Sequence, residues 1–218
     1  MSVLVERLVH VKVELALHTL RSGPGRSLLL LHGLGERTPA AVPPELETWP
    51  GPVYGLDFTG HGQSTIPRGG GYTCEVLMGD ADTALRHLKQ ATIVGRGLGA
   101  YVALLLAGAR PADVRGAILR DGLGLAGGGP TPGTPSIPFP NPGAGGTPDP
   151  FALVELSRDV RPPDYATAFL RQANELSGLE HPVSVCAAER PDWLDAVVRE
   201  PGTRECPLTS ALSHYSGV

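Results

Sequence analysis

Residues 91–102 read ATIVGRGLGAYV, and this stretch decides the fold of the chain. It begins with apolar residues typical of a buried strand and continues through a turn that contains three glycines. It ends in small and apolar residues, which are typical of a helix packed closely on a sheet. A strand, a tight turn and a helix in this order are typical of an α/β protein.

Strands and helices alternate along the rest of the chain as well. The 27–31 run, SLLLL, is continuously apolar, as expected of a strand buried on both faces. The sequence predicts one or two strands at 3–20, further strands at 27–31, 53–58, 91–94, 114–119 and 182–188, and helices at 78–90, 100–108, 164–175 and 192–200. Such alternation predicts an α/β fold with a mostly parallel central sheet flanked by helices.

Length and composition are those of one globular domain. The chain has 218 residues, of which 41% are hydrophobic, and we expect a single domain over residues 1–218. A net charge of -4 gives no reason to expect nucleic acid or an anionic membrane as partner. Charged residues interrupt the apolar stretches of MSVLVERLVHVKVEL, which disfavours a signal peptide or membrane span and favours a cytoplasmic protein.

The cysteines give no sign of a metal site or a disulfide framework. Cys74, Cys186 and Cys206 are widely spaced and form no C-x-x-C pair. We expect free, mostly buried thiols in a reducing compartment, and neither a metal nor a cofactor.

One segment rich in glycine and proline interrupts the alternation. Between Gly122 and Pro150, 9 glycines and 8 prolines occur among 29 residues, which disfavours regular structure. We expect residues 123–163 to be a loop or reduced cap. It is either a surface loop or a lid over a pocket at the strand ends.

Three motifs follow three predicted buried strands. Residues 32–35 read HGLG after the first strand, residues 57–64 read DFTGHGQS after the second, and residues 95–99 read GRGLG after the third. In this order they resemble the motifs of the α/β-hydrolase superfamily, in particular its small esterase- and lipase-like branch, over residues 28–122. The resemblance implies an α/β-hydrolase fold with its site above the carboxyl ends of the strands.

The resemblance places Gly97 where the family's nucleophile elbow, G-x-S-x-G, carries its serine. Glycine supplies no nucleophile, so an acyl-enzyme cannot form here and we expect a catalytically degenerate hydrolase. The family's oxyanion donors correspond to the backbone N–H groups of Leu34 and Leu98, with Gly33 beside them.

The resemblance also implies an acid and a histidine. Asp192 is the best match for the acid, Asp121 is the alternative, and His214 is the match for the histidine. Only four residues follow His214, so we expect the family's usual final helix to be missing. Arg96 is either an ordinary surface arginine or a cation at the pocket mouth that holds a carboxylate or phosphate.

Three functions remain open, and the sequence does not indicate the oligomeric state. The expected one is binding of a small carbonyl- or carboxylate-containing ligand without hydrolysis. The second is a hydrolase that uses an activated water or another nucleophile, with Ser64, Cys74 and His61 as the candidate residues. The third is a dinucleotide-binding protein, because residues 95–100 also fit G-x-G-x-x-A and Asp121 lies near the position of a ribose-binding acid.

Overall fold

The computed structural model describes residues 4–128 and 146–217. These residues contain eight strands and six α-helices, together with a 3₁₀ turn at Pro44–Leu46. The strands are β1 (Leu4–His10), β2 (Val13–Arg21), β3 (Ser27–Leu31), β4 (Val53–Asp57), β5 (Ala91–Arg96), β6 (Val114–Arg120), β7 (Val183–Cys186) and β8 (Thr203–Glu205). The helices are α1 (Cys74–Leu88), α2 (Leu98–Ala109), α3 (Pro150–Arg158), α4 (Pro163–Leu176), α5 (Asp192–Val198) and α6 (Leu208–Ser216).

All eight strands form one sheet in the order β1-β2-β4-β3-β5-β6-β7-β8. The pairs β1–β2 and β2–β4 are antiparallel, and every other neighbouring pair is parallel. The carboxyl ends of β3 to β8 therefore meet at one edge of the sheet, where ligand sites of α/β proteins lie. The predicted α/β fold with a mostly parallel sheet is confirmed.

Alternation along the strands divides the core into two layers. In β3, Leu29 and Leu31 pack in the larger cluster with α1, α2, α4 and α5, whereas Leu28 and Leu30 face the smaller cluster that contains α6. Successive side chains of a strand point to opposite faces, so one apolar run fills both layers. Helix α2 is apolar on all sides and buried, which fixes the turn that precedes it firmly against the sheet.

Two helices occur where the sequence did not predict them. Residues 208–216 form α6, so the expectation that no final helix is present was wrong. Its buried residues Ala211, Leu212 and Tyr215 have the spacing of an amphipathic helix, and Pro207 precedes its first turn.

The expected loop over residues 123–163 contains the other unpredicted helix, α3. The Asp149 side chain accepts a hydrogen bond from the Phe151 N–H at 3.1 Å, and Pro150 occupies the first turn, which are both helix-starting features. The richness in glycine and proline ends at residue 150, so it does not extend into this helix. Residues 129–145 of the expected loop lie outside the described residues.

Candidate functional site

Gly97 lies at the carboxyl edge of the sheet, in the turn that joins β5 to α2. Its backbone has φ 58° and ψ -119°, a combination that strains any residue with a side chain. Its N–H donates to the carbonyl oxygen of Arg120 at 3.0 Å, which holds the turn against the end of β6. The sequence prediction of a sharp strand-to-helix turn is therefore correct at this position.

The space above Gly97 is filled by the chain itself. A Cβ atom built on Gly97 would lie 2.1 Å from the carbonyl oxygen of Leu123 and 2.6 Å from the carbonyl carbon of Gly122. Both contacts are with backbone atoms, which cannot rotate away as a side chain can. The structure therefore leaves no room for a serine or any other side chain at position 97.

The same carbonyl oxygen accepts hydrogen bonds from the two N–H groups that the sequence assigned to oxyanion binding. The N–H of Leu34 and the N–H of Leu98 each donate to the Leu123 oxygen at 2.9 Å. Two backbone donors that converge on one oxygen at this distance are the arrangement that stabilises an oxyanion in acyl transfer. Here the oxygen belongs to a peptide bond of the protein, so the position is taken.

Three identical tripeptides build this arrangement. Gly-Leu-Gly occurs at residues 33–35, 97–99 and 122–124, after β3, β5 and β6 respectively. The central leucine of the first two supplies an N–H group, and that of the third supplies the carbonyl. Glycines on either side let the three backbones approach closely, because a Cβ on most of these residues would meet a neighbouring segment at 3.1 Å or less.

Residues 121–125, which we call the plug segment, are anchored from several sides. The carbonyl oxygen of Leu125 accepts a hydrogen bond from Trp193 Nε1 at 2.8 Å. The guanidinium of Arg161 donates to the carbonyl oxygens of Gly124 and Leu125. Arg161 is only 4% exposed, and both of these hydrogen bonds come from its Nη1 atom, so the buried guanidinium fixes the plug segment through one nitrogen.

An aromatic pair supports these anchors from below. The guanidinium carbon of Arg161 lies 5.0 Å from the ring centre of Tyr101, and the Tyr101 ring packs edge-on against Trp193 at 4.9 Å. Both contacts have the geometry of favourable cation–π and aromatic interactions. The plug segment thus lies on a packed layer, with the Leu123 side chain turned outward and its carbonyl turned inward.

Neither candidate acid, Asp121 or Asp192, pairs with a histidine among the described residues. The Asp121 carboxylate accepts hydrogen bonds from the N–H groups of Ala188 at 2.7 Å and Glu189 at 2.9 Å, which ties the start of the plug segment to the loop after β7. Asp192 is exposed at the first position of α5. Among the described residues, no histidine makes a hydrogen bond to either carboxylate, and Asp121 is an anchor of the fold.

The structure does not bring His214 to Gly97, because the two residues lie at opposite edges of the sheet. His214 is on α6 beside Tyr215, whose ring packs on Gly116 near the amino end of β6. The Gly97 N–H binds the carbonyl of Arg120, which lies four residues beyond Gly116 on β6. At 3.3 Å per residue, Arg120 is about 13 Å from Gly116 along the strand. The assignment of His214 as the catalytic base is therefore wrong for this structure.

Two buried histidines do lie near the turn, and both have structural roles. His32 Nε2 accepts a hydrogen bond from the Phe58 N–H at 3.1 Å, and burial lowers the pKa of His32 to about 3. His61 Nε2 accepts from the Gly35 N–H at 3.2 Å, and burial lowers the pKa of His61 as well. Both rings are therefore neutral and hold the 32–35 loop in place.

The other candidate nucleophiles are also occupied or inaccessible. Ser64 Oγ accepts a hydrogen bond from the Ala16 N–H at 2.9 Å and donates one to the Asp57 carbonyl. These bonds connect the loop after β4 to β2 and to the end of β4. Cys74 is 1% exposed, and burial raises the pKa of its thiol well above the usual range. Ser64 Oγ has only backbone partners and no base to activate it. Cys74 lies beside the Asp159 carboxylate, which disfavours the thiolate.

Arg96 lies at the mouth of a cavity of about 230 Å³, next to the Gly97 turn but on the α6 face of the sheet. Leucines and prolines line the cavity, and two further arginines, Arg37 and Arg120, stand at its edge. Arg96 makes an ion pair with Glu36 at 3.0 Å, and Arg120 makes one with Glu45 at 3.2 Å. This cavity is apolar at its base and charged at its rim, as small-molecule sites are.

Sequence reasoning missed Leu123, Arg161 and Trp193. The third Gly-Leu-Gly was visible at residues 122–124, directly after a predicted strand, and was the one available signal for Leu123. Nothing in the pattern around Arg161 or Trp193 indicates that they anchor it, because those contacts join segments 36 and 68 residues apart.

The described residues contain neither a helix that could span a membrane nor a cluster of metal-binding side chains. Within residues 4–128 and 146–217, no helix is long and apolar enough to cross a membrane. The same residues contain no group of three or more His, Cys, Asp or Glu side chains placed to hold a metal ion.

Comparison with known proteins agrees with this architecture. The model of the serine aminopeptidase S33 family matches residues 23–121, which run from just before β3 to the start of the plug segment. No curated protein matches the chain.

Solved structures match over nearly the whole chain. A thioesterase domain from the curacin biosynthetic pathway is 16% identical with a TM-score of 0.63, covering 100% of this chain and 98% of that one. Est1E from Butyrivibrio proteoclasticus, solved with ferulic acid bound, is 12% identical with a TM-score of 0.62, covering 97% and 96%. A bacterial membrane phospholipase A described as a virulence factor is 16% identical with a TM-score of 0.54, covering 95% and 79%. The chain therefore has the α/β-hydrolase fold, and residues 23–121 resemble the serine aminopeptidase S33 family.

Proposed function

We propose that this chain is a non-hydrolytic member of the superfamily that binds a small carboxylate-containing ligand. We infer the absence of hydrolysis from the Leu123 carbonyl, which accepts hydrogen bonds from both N–H groups at the place where a substrate carbonyl would bind. A substrate would have to displace a backbone segment that Arg161, Trp193 and Asp121 hold in place. Gly97 offers no nucleophile to attack it.

The dinucleotide alternative receives no support from the site. The Gly97 turn would have to cradle a pyrophosphate, but backbone atoms of Gly122 and Leu123 cover it. The Asp121 carboxylate, which would bind the ribose, already accepts two backbone N–H groups. A hydrolase with a different nucleophile remains the second candidate, supported only by the fold.

The cavity beside Arg96 supports the ligand-binding part of the proposal. Arg96 and Arg120 are register partners on the parallel strands β5 and β6, so their side chains leave the same face of the sheet from backbones about 4.8 Å apart. Two like charges at such positions repel each other unless an anion lies between or beside them. In this structure the carboxylates of Glu36 and Glu45 supply that negative charge.

These ion pairs are weak enough to be exchanged. Both glutamates and both arginines are partly exposed, and exposed pairs contribute about 0–1 kcal/mol each. A ligand carboxylate can bind a guanidinium through two parallel hydrogen bonds, while its apolar part contacts Leu30, Leu46 and Val94 in the cavity. An apolar monocarboxylate is therefore the ligand class that fits.

The first prediction concerns the space above Gly97. We expect Gly97→Ala to lower the free energy of unfolding by several times more than Gly178→Ala, as measured by urea denaturation. Gly178 is the matched control because its φ is +69° and a Cβ there would meet nothing within 4 Å, so it carries only the backbone cost of about 1 kcal/mol. Equal losses for the two variants would show that the plug segment yields readily.

The second prediction concerns catalysis. Neither the native chain nor Gly97→Ser should hydrolyse p-nitrophenyl acetate or butyrate above the rate of the urea-unfolded chain, because the serine cannot fit and the N–H groups are taken. Neither should be labelled by a fluorophosphonate probe, as followed by intact-protein mass spectrometry. Saturable turnover by the native chain, with the adduct mapped to one side chain, would instead establish the alternative nucleophile.

The third prediction concerns the ligand. In calorimetric titrations, hexanoate should bind the native chain, Arg96→Gln and Arg120→Gln should each weaken binding about tenfold, and Glu45→Gln should strengthen it by removing a competing carboxylate. Arg171→Gln is the control, since Arg171 pairs with Glu200 on the surface away from this cavity. Equal affinity in all five proteins, or hexanol binding as tightly as hexanoate, would exclude this site.

A further inference from the structure

Cys186 and Cys206 lie side by side on neighbouring strands. β7 and β8 are parallel, with Val183 opposite Thr203 and Val185 opposite Glu205, so the next pair in register is Cys186 and Cys206. The N–H of Cys206 donates to the carbonyl oxygen of Val185 at 3.2 Å, which continues the ladder to this pair.

The two thiols also share one environment. Both side chains are partly buried and pack against the same apolar cluster, which also contains Ala211, Leu212 and Tyr215 of α6. Residues in register on adjacent strands have Cα atoms about 4.8 Å apart, which falls within the range that a disulfide spans. Side-chain direction and backbone distance are thus both compatible with a bond between the two sulfurs.

We propose that Cys186 and Cys206 are a redox-active pair that forms a reversible disulfide with small-molecule disulfides as the oxidant. The thiolate of Cys206 attacks one sulfur of the small disulfide, which forms a mixed disulfide and releases one small thiol. The thiolate of Cys186 then attacks the Cys206 sulfur and releases the second small thiol. The two protein thiols together lose two electrons and two protons, and the small disulfide is reduced to two thiols.

The environment of Cys186 is consistent with its role as the second nucleophile in this reaction. Burial, followed by the neighbouring Cys206, raises the pKa of Cys186 to about 12, so Cys186 is a poor first nucleophile. Once Cys206 carries a mixed disulfide, the attacked sulfur is adjacent to Cys186 and needs no diffusion to reach it. Cys74 is too deeply buried to compete.

The disulfide would act on the segment that holds the plug. It would close a loop over residues 186–206, which contains the Ala188 and Glu189 N–H groups that bind Asp121. The same loop contains Trp193, whose indole N–H binds the Leu125 carbonyl. Cross-linking its two ends restricts the unfolded chain, so the oxidised protein is the more stable form.

The test uses the full chain incubated with oxidised glutathione, then alkylated in denaturant and digested with trypsin. Before alkylation, we expect the oxidised chain to be about 2 Da lighter than the reduced chain, from the loss of two hydrogens. After alkylation and digestion, we expect a peptide pair linked through Cys186 and Cys206, and an alkyl group on Cys74 alone. The oxidised chain should unfold roughly 5 °C higher than the reduced chain, and dithiothreitol should reverse both changes.

Single substitutions separate the pair from independent thiols. Cys186→Ser should accumulate a glutathione adduct on Cys206, because its resolving thiol is gone, and Cys206→Ser should give neither a loop disulfide nor a rise in melting temperature. The proposal is overturned if the native chain keeps a stable adduct on Cys206, links Cys74 as readily, or stays fully reduced.

Discussion

The structure of the site depends on one carbonyl oxygen. The Leu123 oxygen accepts two short backbone hydrogen bonds from segments that follow two other strands, and so it joins the ends of β3, β5 and β6. A hydrogen bond of this kind contributes about 1 kcal/mol net, whereas a buried N–H left without a partner costs about 1–3 kcal/mol. The two N–H groups therefore favour the arrangement in which the Leu123 oxygen occupies the site. The alternative, a site with neither this oxygen nor water, would leave both N–H groups without a partner.

This constraint links two features that the sequence presents separately. An enzyme of this fold leaves its paired N–H groups open to substrate and places a nucleophile below them. In this chain a side chain at position 97 and a carbonyl at position 123 would compete for the same space. Glycine at 97 is therefore required for the plug segment to lie where it does, so the residue type at 97 and the filled donor pair depend on each other.

Much of the fold was predictable, because it rests on local patterns. Continuous apolar runs such as 27–31 and the strand–turn–helix of 91–102 indicated both the sheet and the elements on it. Helix α6 was missed because its length was judged from the few residues after His214, although the apolar spacing of Ala211, Leu212 and Tyr215 was available. Amphipathic spacing is a better guide to a final helix than the distance to the end of the chain.

The candidate site was predictable only in part, because its parts are contributed by distant segments. The donors Leu34 and Leu98 followed from motif order, since their role needs only a backbone position after a strand. The acceptor Leu123 and its anchor Arg161 depend on how the 121–128 segment folds back, which no periodicity specifies. His214 was misplaced for the same reason: order along the chain does not reveal which edge of the sheet a helix residue reaches.

The central claim is that one carbonyl occupies the paired N–H groups in solution, and nuclear magnetic resonance tests it most directly. In uniformly ¹⁵N,¹³C-labelled protein, the amide nitrogens of Leu34 and Leu98 should both show scalar coupling across a hydrogen bond to the carbonyl carbon of Leu123. Both amides should also exchange slowly with solvent. Rapid exchange of the two amides, with no coupling to Leu123, would mean that the donor pair is open and that the site is not filled by the chain.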